Sequence, residues 1–244
     1  AIKIREPPTK MNRSKFKFGD FILPFQIDAL GIRGSLVRMQ KTVQSLTGDN
    51  RYPKDIKILL AEAAALAGAL TSGIKYKGNF SLQVQGDGPV GLLLIDISSD
   101  GDIRGYAKFD YQNLPCPENS DPLIPRLLGA GYLAFTVDQG PDTSRYQGIT
   151  ELKGQTLTDC AQTYFRDSEQ LETVLLSGST LGKDQDIRAG AFMIQRIADS
   201  PANAKNWKEQ KRPWSEAAIL AATLTKSELL DPNIDATDLL LQLF

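Results

Sequence analysis

Gly86-Asp-Gly88-Pro-Val-Gly91 satisfies the spacing G-x-G-x-x-G, in which glycines let a backbone close on a dinucleotide pyrophosphate at the start of a helix. That chemistry needs a strand before the glycines and a helix after them. Here Pro89 belongs to a turn and the β-leaning run Leu92-Leu-Leu-Ile-Asp-Ile97 follows, so the stretch reads as the tip of a β-hairpin. Asp96, Asp100 and Asp102 could offer a hard cation several carboxylate oxygens, but Asp100-Gly-Asp102 lacks the ligand ladder and closing Glu of a calcium loop and reads as a solvated turn. Asp167, Glu169 and Glu172 read as a helix end and its surface. Acid–base catalysis by carboxylates alone would require two of these groups to be held with divergent pKa values.

What is missing narrows the chemistry further. The 244 residues contain no histidine, which excludes Ser-His-Asp, Cys-His and histidine-ligated metal sites. The two cysteines, Cys116 and Cys160, have no partners at metal-ligand spacing, and no disulfide between them is expected in a reducing compartment. Cys116, in Leu114-Pro-Cys-Pro117, reads as an exposed loop residue, and Cys160 as a small core residue on a helix. A formal net charge of -1 gives no electrostatic argument for nucleic acid or for an anionic membrane. The basic stretch at residues 1–19 reads as a loose solvated arm. The longest mostly apolar run, Ile56 to Leu70, contains Lys57 and Glu62 and is too short for a bilayer. The amino terminus lacks the apolar core of a signal peptide. The expectation is a cytoplasmic protein without a nucleic-acid or membrane partner, and without a metal or cofactor in this chain.

The elements that must position these residues centre on Ile74 to Phe109. Phe80, Leu82 and Val84 alternate with Ser81, Gln83 and Gln85, and Ile103, Gly105, Ala107 and Phe109 alternate with Arg104, Tyr106 and Lys108, the period of half-buried strands. Between them, Leu92 to Ile97 reads as a strand covered on both faces. This meander is the expected sheet. Phe21 to Leu30 is β-leaning, Ile32 to Val37 reads as a short strand, and Met39 to Leu46 as a helix. Pro53 opens the strongest helix, with Ile56, Leu59, Leu60, Ala63, Leu66, Ala67 and Leu70 on one face. After a loop from Tyr111 to Pro125, Leu133 to Val137 and Tyr146 to Leu152 read as a hairpin. Thr156 and Asp159 read as a capping pair for a helix from Leu157 to Gln170. Strands from Thr173 to Ser177 and from Arg188 to Ile197 follow.

At Asp199 the texture changes to a polar linker running to Pro213, then three short helical pieces: Ser215 to Thr225, Ser227 to Leu230 and Ala236 to Phe244. The expected architecture is α+β: a mixed or antiparallel sheet packed with helices over residues 1–199, then a helical linker segment over residues 200–244. Trp214, Ile219, Leu220, Leu224, Leu229, Leu230, Leu239, Leu240 and Phe244 make the last segment apolar. Pieces this short do not hold a helix alone in water. They must lean on the sheet, and this conditional surface is the candidate binding site.

The chain contains, in order, Arg33-Gly-Ser-Leu-Val37, Pro53 with Leu59-Leu-Ala-Glu-Ala63, Leu82-Gln-Val-Gln-Gly-Asp-Gly-Pro89, Arg104-Gly-Tyr-Ala107, Arg145-Tyr-Gln-Gly148, Tyr164-Phe165, Ser168-Glu-Gln-Leu171 and Ala189-Gly190 before Gln195. Together these stretches resemble the 33-kilodalton heat-shock protein family of bacterial redox-regulated chaperone holdases. The departures are Glu172, where the family often has Pro, and Ala191, where it has Gly. The resemblance implies an ATP-independent holdase, not an enzyme, that binds unfolded client proteins under oxidative and heat stress. It leaves a homodimer open. It also implies a redox switch in a further domain with zinc-binding cysteines spaced C-x-C and C-x-x-C. This sequence does not contain that pattern, so zinc is expected only in that missing domain, and the chain is expected to be the substrate-binding domain with its linker helices. In the family, oxidation of the zinc module releases the linker segment; here the segment is expected to be loosely held. The alternative from another class is a carboxylate- or metal-dependent enzyme on the same α+β scaffold.

Overall fold

The computed structural model describes residues 2–4, 18–48, 51–74, 76–115, 122–138, 145–182, 184, 186–197 and 211–244. The alternating stretches form strands in two five-stranded sheets, both wholly antiparallel, rather than the single sheet expected. The meander gives β4 (Asn79–Gly86), β5 (Val90–Ser98) and β6 (Ile103–Phe109), and the later hairpin gives β7 (Gly131–Asp138) and β8 (Tyr146–Glu151). They pair in the order β6-β5-β4-β7-β8. The second sheet unites the two ends of this core: β1 (Ile2–Ile4), β2 (Phe21–Ile27), β3 (Ile32–Met39), β9 (Thr173–Leu181) and β10 (Ile187–Arg196), ordered β1-β2-β3-β10-β9. Ile2–Ile4 pairs with Phe25–Ile27 as an edge strand, so this part of the basic arm is not loose; the alternation Ile2-Lys3-Ile4 suits that place.

Helix α1 (Lys41–Thr47) leads to α2 (Lys54–Thr71), which lies between the sheets. The sequence points to one apolar face, but 15 of the 18 residues of α2 are buried, because each sheet takes one side of it. The alanines from Ala61 to Ala69 keep its girth small enough for that middle layer. Glu62 is tolerated there because Ser177 donates to it at 2.8 Å, with Thr158 2.5 Å from Ser177 Oγ. Leu92 and Leu94, expected to be covered, are half-buried on the outer face of β5, while Leu93, Ile95 and Ile97 point inward.

Helix α3 (Leu157–Asp167) starts with the Thr156–Asp159 capping box and ends three residues before the expected Gln170, which takes a left-handed φ of 53°. Its Cys160 is buried, as expected; Cys116 lies outside the described residues. The loop after β6 contains a π-helical turn at Ile124–Leu128 that the sequence pattern does not signal. The chain finishes in α4 (Lys211–Thr223), α5 (Lys226–Leu230) and α6 (Ala236–Leu243). Residues 200–210 of the expected linker lie outside the described residues, and Lys211, Arg212 and Pro213 already belong to α4. Among the described residues no helix is long and apolar enough to cross a membrane.

Gly86-Asp-Gly88 is a packing device. Asp87 N–H donates to Ala130 O and Gly88 N–H to Leu128 O, both at 2.9 Å, and Asp87 Oδ1 accepts from Ala130 N–H at 2.8 Å. The π-helical turn thus rides on the β4–β5 turn so closely that a Cβ at Gly86 would stand 2.0 Å from Leu128 O, whereas one at Gly91 would meet only Gly86 O at 4.0 Å. Gly86→Ala is therefore expected to lower stability by about 2–4 kcal/mol in urea unfolding, and Gly91→Ala by less than about 1 kcal/mol. Equal effects would remove the packing role of the turn.

Candidate functional site

The outer face of the second sheet is apolar along three neighbouring strands. Leu23, Phe25 and Ile27 of β2, Ile32 and Leu36 of β3, and Phe192 and Ile194 of β10 form one cluster, separate from the cluster around α2. The strand register sets Leu23 opposite Leu36, and Leu36 opposite Phe192, so period-two alternation brings them to one surface. The carboxy-terminal helices cover it.

Trp214, Leu224, Leu229, Leu239 and Leu240 are buried in this cluster, with Phe244 half-buried at its edge against Phe25. Leu230 is also buried. Ile219 and Leu220 are 66% and 41% exposed and face away, so these two are not brought to the sheet. The pattern of large side chains overlooked Ala217, Ala221 and Ala236, whose small size lets the helices lie close, and Leu243. The sheet supplies a matching seat. Gly190 pairs with Gly178 across β10 and β9, and a Cβ at Gly190 would already stand 3.0 Å from the Leu229 side chain.

At the centre of the contact is a residue that apolar patterning misses. Arg38 shares the outer face with Leu36 and is fully buried. Its Nε donates to Leu229 O at 2.9 Å, Nη2 to Glu228 O at 3.2 Å and Nη1 to Ile234 O at 2.5 Å. One guanidinium thus serves the last carbonyls of α5 and the turn into α6, where helical partners run out; Glu228 O also accepts from Asp231 N–H at 3.3 Å. The Phe18 ring lies 5.2 Å from the guanidinium carbon. Arg188 adds a bond to Leu230 O at 3.3 Å. Burial holds the Arg38 pKa below its ordinary value, and Asp235 and Asp231 act in the opposite direction. An arginine in step with Ile32 and Leu36 on a buried strand was the signal in the sequence, and it indicates that polar acceptors must come from elsewhere.

The other candidates stay apart. Asp96 is held by Arg104 and Ser81, while Asp100 and Asp102 lie exposed at the next turn. Asp167 pairs with Arg166, Glu172 with Arg196, and Glu169 accepts from the hydroxyls of Tyr146 and Tyr164. Among the described residues no three His, Cys, Asp or Glu side chains are grouped to hold a metal ion. Burial pushes the Cys160 thiol up to about 11, away from thiolate chemistry. The described residues do not fit a zinc site.

The geometry defines a two-sheet α+β domain that carries a helical cover over one apolar sheet face. The model of the Hsp33 protein family matches residues 20–244. The 33 kDa chaperonin of Caulobacter vibrioides is 36% identical over 230 residues, covering 92% of this chain and 75% of the relative. That of Shewanella denitrificans is 32% identical over 214 residues, covering 87% and 67%. The crystal structure of the Thermotoga maritima 33 kDa chaperonin shares the fold, with a TM-score of 0.75 at 21% identity over 91% of this chain and 74% of that one. The chain belongs to the Hsp33 family. That membership supports chaperone function and gives no support to a carboxylate- or metal-dependent enzyme.

Removing the guanidinium strips the Leu229 and Ile234 carbonyls of their bond to Arg38 and leaves Glu228 O with Asp231 N–H alone; each orphaned carbonyl costs about 1–3 kcal/mol when buried. For Arg38→Ala, limited proteolysis is expected to cut residues 211–244 at least about tenfold faster while residues 18–197 stay resistant. An unchanged cleavage rate would show that Arg38 does not secure the cover.

Proposed function

We propose that this chain is an ATP-independent holdase, not an enzyme, that binds unfolded client proteins on apolar surface bared when α4–α6 lift from the second sheet. Membership of the Hsp33 family carries the proposal, because the relatives it matches bear the name chaperonin. The covered sheet face supports it physically. Each large side chain in the contact contributes about 1.5–3 kcal/mol when fully buried, but ordering the backbone costs about 1–2 kcal/mol per residue. The cover is built from helices of 13, 5 and 8 residues, so little of its order is self-sustaining. Opening would present the helices' own apolar residues, Trp214, Leu224, Leu229, Leu230, Leu239, Leu240 and Phe244, together with the strand face beneath. Ile219 and Leu220 would extend this surface from the exposed side of α4.

In this proposal residues 1–199 are the binding core and residues 200–244 the cover, acting in the cytoplasm, without a nucleic-acid or membrane partner. Redox control by zinc-bound cysteines belongs to a cysteine-rich module of the family, not to the residues of this chain, and whether the working unit is a homodimer is a separate property. Light scattering of a heat-unfolded client, without nucleotide and with a chelator present, is the test. The full chain is expected to suppress aggregation, and deletion of residues 211–244 is expected to leave the core folded and at least as effective. Suppression by neither form would refute the holdase; suppression by the full chain alone would confine the function to the cover itself.

A further inference from the structure

A second apolar surface lies at the opposite side of the second sheet. Helix α2 fills the space between the sheets only as far as Thr71, and the space beyond it is open. A well of about 280 Å³ occupies this gap, walled by Phe80, Phe135, Phe165, Leu171 and Met193. A trough of about 500 Å³ runs on past Pro24, Phe25 and Gln26. The two meet at Arg33, Gly73, Ile74 and Met193, which line both.

The rim carries two charges with coordination to spare. Arg33 donates to the neutral Gln195 Oε1 at 3.0 Å and has no carboxylate partner among the described residues. Glu169 Oε1 accepts from the Tyr146 and Tyr164 hydroxyls, which lie 2.7 Å apart, while no hydrogen bond among the described residues reaches Oε2. Ile74, on the shared lip, is 40% exposed. Gly73 keeps that lip low without any backbone need for glycine: its φ is not left-handed, and a Cβ would meet nothing nearer than Gln195 Oε1 at 3.7 Å and Met193 Cε at 3.8 Å.

We propose that this groove is a second client site, an inference that rests on the holdase reading. It takes an extended segment of unfolded polypeptide, with one aromatic side chain in the well, a neighbouring basic side chain at Glu169 and a main-chain carbonyl at Arg33. The well holds about one large side chain, below the usual range for a drug-sized ligand, while the trough gives a chain room to enter and leave. A chain supplies both a cation for the open carboxylate oxygen and acceptors for the open guanidinium. A nucleic acid or an anionic membrane would meet Glu169 with like charge. The groove is open with α4–α6 in place, so it can take clients before the covered face is bared.

Met39 and Met193 both belong to the core around α2, and of these two described methionines Met193 alone also lines the groove. Methyl-labelled full-length chain is titrated with a soluble peptide carrying one Trp followed by Lys among Gly and Ser. The Met193 signal is expected to shift and the Met39 signal to stay. Replacing Trp by Ala should weaken binding by about tenfold, and Lys by Glu by about fivefold, the latter difference vanishing in Glu169→Gln. Gly73→Phe should abolish the Met193 shift while leaving the melting temperature unchanged. A Met193 signal that never moves, or equal binding of the Ala peptide, would overturn the proposal. Aggregation suppression by wild type with a silent Met193 would reject the groove alone; a responsive Met193 without suppression would keep the groove as a peptide site and reject the holdase reading.

Discussion

A buried guanidinium, with no carboxylate at ion-pair distance among the described residues, ties the carboxy-terminal helices to the second sheet. Arg38 projects from the middle strand of one sheet and meets the carbonyls of Glu228, Leu229 and Ile234. Removing a charge from water is costly, and three carbonyls return only part of that cost. The contact is therefore specific in geometry but moderate in net energy. If the cover lifts, Arg38 regains water, which offsets part of the loss of apolar burial. A wholly aliphatic contact would have no such compensation. The same residue thus fixes where α5 sits and limits how firmly it is held.

The layering makes such opening tolerable for the rest of the chain. One sheet packs on one side of α2, the second on its other side, and α4–α6 lie on the far face of that second sheet. Among the described residues the apolar cluster around α2 does not use the carboxy-terminal helices, so the core would keep its largest buried surface in the proposed opening. In the proposed opening the second sheet would keep one face buried on α2 and bare the other, now covered by α4–α6.

Local chemistry was readable in the sequence where it repeats at short range. Phe80, Leu82 and Val84 announced their strand, Ile56 to Leu70 its helix, and Thr156 with Asp159 the capping box. Partnering at long range was not. Nothing in the run Ile32 to Met39 states that it pairs with Ile187–Arg196, so one sheet was expected where two exist. The all-round burial of α2 follows from that second sheet and could not be inferred without it. The carboxy-terminal apolar residues were visible as a group, yet their seat was not: Gly178 and Gly190 matter only once strand pairing sets them side by side, and Arg38 only once carbonyls more than a hundred residues away arrive above it.

Native-state hydrogen exchange, read segment by segment, tests this account most directly. Amides of α5 and α6 are expected to exchange through an opening whose free energy lies well below that of α2 and β3, which should exchange only with global unfolding. If α5 and α6 are protected to the same free energy as α2, the cover is ordinary core and the conditional surface does not exist.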